Sequence, residues 1–185
     1  MPEAVPRTRD AVLRHAARLF AARGFRGTSV EDIGQACGVT GPAVYKHFSS
    51  KDAILARLLG DISEQLLTGG RQVVLEQPEP AEALARLVAF HAGFALEEPD
   101  VIRVQDRDLA SLNDRDRARV RRLQRDYVDV WTGVLQRCEP ELPAADARLR
   151  VQAVFGLLNS TPHSARDRTA ARRQLVPMAL RALHG

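Results

Sequence analysis

Apolar residues in this chain recur at three- and four-residue intervals from Thr8 to the C-terminal segment, and an alternation of period two is nowhere sustained. That spacing belongs to amphipathic helices and not to half-buried strands, so an all-α fold is predicted. With 185 residues there is room for a small domain joined to a larger one, and a core of that size needs no disulfide support. No run approaches the roughly 18 consecutive apolar residues of a membrane span. The start, Met1 to Arg7, has neither an apolar core nor a small-residue cleavage pattern, so a cytoplasmic site and no membrane association are expected. Cys37 and Cys138 lack CxxC spacing and fall in apolar helical patterns, which predicts buried thiols and not a bridge or a metal pair.

Charge is unevenly placed. Residues 1–60 carry nine Lys and Arg against five Asp and Glu, whereas residues 61–185 carry eighteen of each sign, so the whole formal excess of +4 sits in the first third. A nucleic-acid-binding head on an electroneutral body has this distribution, as does a plain basic surface.

Within that third, Val12, Leu13, Ala16, Ala17, Leu19 and Phe20 mark one face of a first helix that Gly24 is placed to end. Thr28-Ser29-Val30-Glu31 has the form of a capping box, with the Thr28 hydroxyl and Glu31 carboxylate serving the start of a second helix that runs to Cys37. Gly38 can turn the chain in the left-handed conformation, and Thr40 can cap a third helix opening at Gly41-Pro42. Two short helices about a glycine turn form a helix-turn-helix.

The run Ile33-Gly34-Gln35-Ala36-Cys37-Gly38-Val39-Thr40-Gly41-Pro42-Ala43-Val44-Tyr45-Lys46-His47-Phe48-Ser49-Ser50-Lys51 closely resembles the signature of the TetR family of transcriptional regulators, over about residues 8 to 58 without a gap. The resemblance implies a three-helix DNA-binding domain over residues 1–50 and a helical ligand-binding and dimerisation domain over 51–185. It implies operator contacts from Thr28, Ser29, Thr40, Gly41, Pro42, Ala43, Tyr45, Lys46, His47 and Lys51. Thr40, Tyr45 and Lys51 are suited to phosphate oxygens, which fix register without reading sequence. Lys46 can donate to guanine edges, and Pro42 or Ala43 can touch thymine methyls. Val39, Val44 and Phe48 match packing positions. The family often has a basic or polar base reader early in the second helix, where this chain has Glu31 and Asp32. Arg7 and Arg9, ahead of the first helix, are candidates for an arm over phosphates or for a disordered tail.

Beyond Ser50 the pattern predicts only helices. Ile54, Leu55, Leu58, Leu59, Ile62 and Leu66 define a long fourth helix, with Gly69-Gly70 placed to kink or loosen it. After Pro78 and Pro80 come three more stripes. The first is Leu84, Leu87, Val88, His91 and Phe94, and the second is Ile102, Gln105 and Leu109. The third runs from Val120 through Tyr127 and Trp131 to Cys138, with Arg122-Asp126 and Arg125-Asp129 at i,i+4 on its outer side. Residues 151–158 are apolar around most of the helix, which a partner subunit can cover, and the last helix, about Asp167 to His184, has Pro177 as an expected kink. In the family the last two long helices pair with their twofold mates, so a homodimer on a palindromic operator is implied.

Polar or aromatic residues on inner faces mark ligand-binding candidates: His91, Gln105, Tyr127, Trp131, Asn159 and His163. Plainer readings stand beside them: His91 as a core histidine satisfied by a backbone carbonyl, Trp131 as core filler, and Asn159 to His163 as an ordinary helix end. The run Gly156-Leu157-Leu158-Asn159-Ser160-Thr161-Pro162-His163-Ser164, together with Arg125-Asp126-Tyr127 and Trp131, resembles a branch of TetR regulators associated with fatty-acid and sterol breakdown, which implies a small hydrophobic or acyl-coenzyme A effector. No GxSxG, HExxH or paired-carboxylate pattern occurs, so no catalytic residue, metal or cofactor is expected. The alternatives are a helical dimeric interaction protein that no longer binds DNA and, behind it, an enzyme.

Overall fold

A computed structural model describes residues 5–161 and 167–184, with no side-chain description before Arg9. Nine α-helices and one 3-10 turn occur among the described residues, and no strand. The chain divides into two compact units, Met1–Ile62 with Asp100–Val120, and Ser63–Pro99 with Arg121–Gly185.

The first unit begins with α1 (Val5–Arg23), which buries Val12, Ala16, Ala17 and Phe20. Arg7 and Arg9 therefore belong to a helix and do not precede it. Gly24 ends α1 at φ +83°, with its N–H on Phe20 O at 2.8 Å. Helix α2 (Val30–Cys37) is capped one residue later than the sequence pattern suggests. Ser29 Oγ accepts from Asp32 N at 3.0 Å, and Asp32 Oδ2 accepts from Ser29 N at 2.8 Å. Thr28 is withdrawn from the cap because it is buried and its hydroxyl donates to Gly24 O at 2.9 Å. Gly38, at φ +70°, sends its N–H to Gln35 O and turns the chain into α3 (Gly41–Tyr45). Thr40 has the extended backbone of an N-cap but makes no side-chain capping bond. Its carbonyl instead accepts from Ala43 and Val44.

Helix α4 (Lys51–Glu76) adds Ile54, Leu55 and Leu59 to this unit's core. Helix α6 (Pro99–Asp108), the 3-10 turn Leu109–Ser111 and the start of α7 (Asp114–Cys138) close it with Val101, Val104, Leu112 and Val120. Each large side chain buried in this way contributes about 1.5–3 kcal/mol.

The second unit holds the rest of α4 and α7 with α5 (Pro80–Glu97), α8 (Ala144–Leu158) and α9 (Arg168–His184). Helix α4 continues as one helix through Gly69-Gly70. A Cβ on Gly69 would lie 2.3 Å from Phe90 Cζ, and one on Gly70 2.5 Å from Tyr127 Cε2. They are glycines because two rings press on the helix backbone. Helix α9 likewise runs on through Pro177, packs on α5 and α8, and buries Ala179 and Leu183. Asp129 pairs with Arg148 of α8, a cross-helix partner that the i,i+4 spacing does not reveal. Leu149 on α8 and Met178 on α9 stay exposed, at 66% and 42%. Cys37 and Cys138 are free thiols, half-buried and not fully so, and burial pushes both above the usual thiol range.

Candidate functional site

The α2–α3 pair presents Thr40, Pro42, Tyr45 and Lys46 to solvent, with Gly41, Ala43 and His47 half-buried between them. Val44 and Phe48 point the other way, into the core, and hold the exposed face in place. Thr40's hydroxyl, which caps nothing, and Lys46's ammonium are thus available on one short helix whose spare face is not sealed against the protein.

Three of the expected contact residues are committed elsewhere. Thr28 is 2% exposed and its hydroxyl reaches Gly24 O and Leu19 O, so the side chain fastens the loop between α1 and α2. Ser29 is exposed, but its hydroxyl is engaged with Asp32 in the cap. Lys51 Nζ donates to Phe25 O and Thr28 O, both at 2.8 Å, and stands 4.4 Å from the Phe25 ring centroid. Its ammonium ties the start of α4 to the same loop. Arg9 lies over the Phe48 ring, 5.5 Å from its centroid, and so braces the core from outside. The Arg7 side chain lies outside the described residues. Because the box is Ser29 with Asp32, Glu31 is not a capping residue. Its carboxylate instead sits against the start of α3, where a Cβ on Gly41 would lie 3.3 Å from Glu31 Oε1.

Arg107 is a residue the sequence did not single out. From α6 its guanidinium donates to Phe20 O and to Ala21 O, the last at 3.3 Å, while pairing with Asp108 at 3.1 Å. Cationic donors suit the orphan carbonyls of a helix C-terminus, so Arg107 caps α1 from another helix. No local pattern signals a bond spanning 86 residues.

The second unit gathers four of the six ligand candidates. His91 on α5, Tyr127 and Trp131 on α7, and Asn159 at the end of α8 meet with Phe155 and Phe94 in one aromatic cluster. The planes of His91, Tyr127 and Phe155 lie within 29° of one another, with centroids 4.7 to 5.8 Å apart, and Trp131 meets them edge on. Gln105 belongs to the first unit and not to this cluster, and His163 lies outside the described residues.

His91 is satisfied by side chains and not, as expected, by a backbone carbonyl. Asn159 Oδ1 lies 3.0 Å from His91 Nε2; since that oxygen only accepts, Nε2 carries the proton and Nδ1 receives the Tyr127 hydroxyl at a long 3.4 Å. Burial pushes the His91 pKa down to about 4, against a smaller upward pull from Asn159, so the ring is neutral. Burial also lifts the Tyr127 hydroxyl above the usual phenol range, with a weaker opposing pull from Trp131. Despite that proximity, the Trp131 indole N–H makes no hydrogen bond of acceptable geometry and is fully buried. A buried donor left without an acceptor costs about 1–3 kcal/mol. Among the described residues no cluster of His, Cys, Asp and Glu is placed to hold a metal ion, and no helix is long and apolar enough to cross a membrane.

Residues 12–58 match the family model described as bacterial regulatory proteins, tetR family, and residues 77–163 match the tetracyclin repressor-like C-terminal domain. The HTH-type transcriptional repressor KstR2 of Rhodococcus jostii is 28% identical over 137 residues, 69% of this chain and 63% of its own length. Matches to KstR2 sequences span between 41% and 63% of those proteins' own length. A TetR-family transcriptional regulator from Bordetella parapertussis superposes with a TM-score of 0.84 at 26% identity, covering 93% of both chains. AibR, solved in complex with isovaleryl coenzyme A and operator DNA, shares the fold at 20% identity and a TM-score of 0.75, over 92% of this chain and 97% of its own.

Proposed function

The chain belongs to the TetR family, and from that premise we propose that it is a ligand-responsive transcriptional repressor that binds operator DNA through residues 1–50 and senses and dimerises through residues 51–185. The observation that carries this is the exposed face from Thr40 to Lys46, held by a packed α2–α3 pair in the part of the chain that holds all of its net positive charge. In this reading Thr40 and Tyr45 hold phosphates, while Pro42, Ala43, Lys46 and His47 meet base edges in the major groove. The backbone at Thr28, Ser29 and Gly41 frames the contact, and Lys51 supports it from behind.

The exposed Leu149 and Met178 support a homodimer through α8 and α9, and hence a palindromic operator whose half-sites follow the spacing of the two heads. The effector, a small hydrophobic molecule or an acyl-coenzyme A thioester, binds at His91, Tyr127, Trp131 and Asn159. Helix α4 offers the link: one end holds the loop carbonyls of Phe25 and Thr28 through Lys51, and Gly69 and Gly70 further along it bear on the rings of Phe90 and Tyr127. At 1.5 Å per residue it is about 39 Å long. A ligand that moves those rings favours one spacing of the heads over another. The protein works in the cytoplasm and catalyses no reaction.

Binding to DNA upstream of its own gene tests this. Lys46→Ala is expected to weaken specific binding by about 1–3 kcal/mol and relax one operator position, with the fold unchanged. A wild-type dimer indifferent to such DNA at low salt would leave the chain as an interaction protein.

A further inference from the structure

We propose that the cluster around Trp131 recognises an uncharged apolar molecule bearing one hydrogen-bond acceptor, as a ketone or thioester carbonyl supplies, with the indole N–H as the donor that reads it. The inference rests on the second unit being the effector-binding part, and it names what that part selects.

Hydrogen-bonding capacity in the cluster is nearly consumed. His91 Nε2 is bound to Asn159 Oδ1, His91 Nδ1 takes the Tyr127 hydroxyl, and the Thr161 hydroxyl is spent on Ala95 O at 2.8 Å. Trp131 Nε1 is the one buried side-chain polar atom left unbonded among the described residues. What Trp131 lacks is therefore an acceptor in bonding geometry, the Tyr127 oxygen with its accepting lone pairs standing near the indole without completing the bond. The ring partners of Trp131 are neutral: they are His91, Tyr127 and Phe155, and burial keeps the first two uncharged. Among the described residues no charged group acts on His91 or Tyr127, so a carboxylate or phosphate placed beside them would shed its water with no cation there to meet it, which disfavours a charged group at this depth. A carbonyl carries the acceptor without the charge.

Because the rings already touch, the acceptor has to part Trp131 from Phe155 or Tyr127. Tyr127 bears directly on Gly70 of α4, so an acceptor that parts Trp131 from Tyr127 also presses on α4. Two sources share the chemistry, a free ketone and a coenzyme A thioester whose phosphates remain outside the cluster.

Trp131 is the only tryptophan, so the full-length protein labelled with nitrogen-15 shows one indole N–H resonance. The probes are cyclohexyl methyl ketone, cyclohexanecarboxylate, the coenzyme A thioester of that acid, and free coenzyme A. The expected result is that a carbonyl probe moves the indole proton downfield, while the carboxylate binds at least about tenfold more weakly, as its desolvation without a cation requires. Movement by the ketone indicates a free carbonyl compound, and movement by the thioester alone indicates that source. Trp131→Phe is expected to lower carbonyl-probe affinity about fivefold, more than Tyr127→Phe does. If Trp131→Phe does not fold, the wild-type resonance decides. Carboxylate binding as tight as the carbonyl probe, a carbonyl probe bound with the indole signal unmoved, or no probe bound at millimolar concentration overturns the proposal. A metabolite that releases the protein from DNA without shifting the indole ends this inference and leaves the repressor reading intact. A shifted indole with no release does the reverse.

Discussion

The DNA-facing head and the aromatic cluster are built on opposite principles. The head exposes its working groups, Thr40, Tyr45 and Lys46, on a five-residue helix and its two caps, held from behind by Val44 and Phe48. The cluster buries its polar groups and keeps them neutral, assembling them from three helices with partners 36 and 68 residues apart. A surface that meets a polyanion works through charge in water, where an ammonium is inexpensive to keep ready. A site that meets an apolar molecule works by withholding water, and there each unpaired donor is felt.

The contrast is tested most strongly by pH. His91 in the fold has a pKa of about 4, against about 6.5 in the unfolded chain. As pH falls through 6.5 the unfolded state takes up a proton that the folded ring refuses, so stability declines between pH 6.5 and about 4 and then levels. At 1.36 kcal/mol per unit this amounts to about 3 kcal/mol. His91→Gln, which cannot titrate, should lack that component while keeping the carboxylate part of acid unfolding. Denaturant melts of both proteins from pH 7 to 4 measure the difference, and parallel curves would mean the ring is charged or solvated in the fold. In the head the corresponding test is Lys51→Met against Lys46→Ala. The first loses two carbonyl bonds and the Phe25 contact, an expected cost of about 1–2 kcal/mol after allowing for partial exposure. The second should leave urea stability within about 0.5 kcal/mol. Equal effects would place both lysines on the surface.

How much of this was legible follows from the range of the interactions. The helix-turn-helix was readable because its determinants are local: Gly24 and Gly38 stop helices, Pro42 starts one, and Val44 and Phe48 recur at helical spacing. The cap sits one residue later than the pattern suggests because Thr28 and Ser29 can both cap a helix, and burial of Thr28 against Gly24 O decides between them. The bonds of Lys51 to carbonyls 23 and 26 residues away leave no trace in the local pattern. The same limit hid Arg107. His91, Tyr127, Trp131 and Asn159 were identifiable as polar or aromatic residues on apolar faces, but Gln105 met the same criterion and lies in the other unit. Periodicity gives the face a residue occupies, not the neighbours it meets there.

Glycines carry the comparison to smaller effects. In an open helical position Gly→Ala gains about 1 kcal/mol, and Gly133, with nothing within 4 Å of a Cβ, should show that gain. Gly70→Ala should instead destabilise by about 1 kcal/mol, since forcing the Tyr127 ring aside costs about 1–3 kcal/mol and outweighs the helical gain. In the head, Ser29→Ala should cost about 1 kcal/mol through the lost cap, whereas Glu31→Ala should be close to neutral in thermal melts. The order matters more than the size. A Glu31 variant as damaging as the Ser29 one would return the cap to the register read from Thr28, free Ser29 and Asp32, and bring Glu31 back from the face of α3 where its carboxylate stands beside Gly41.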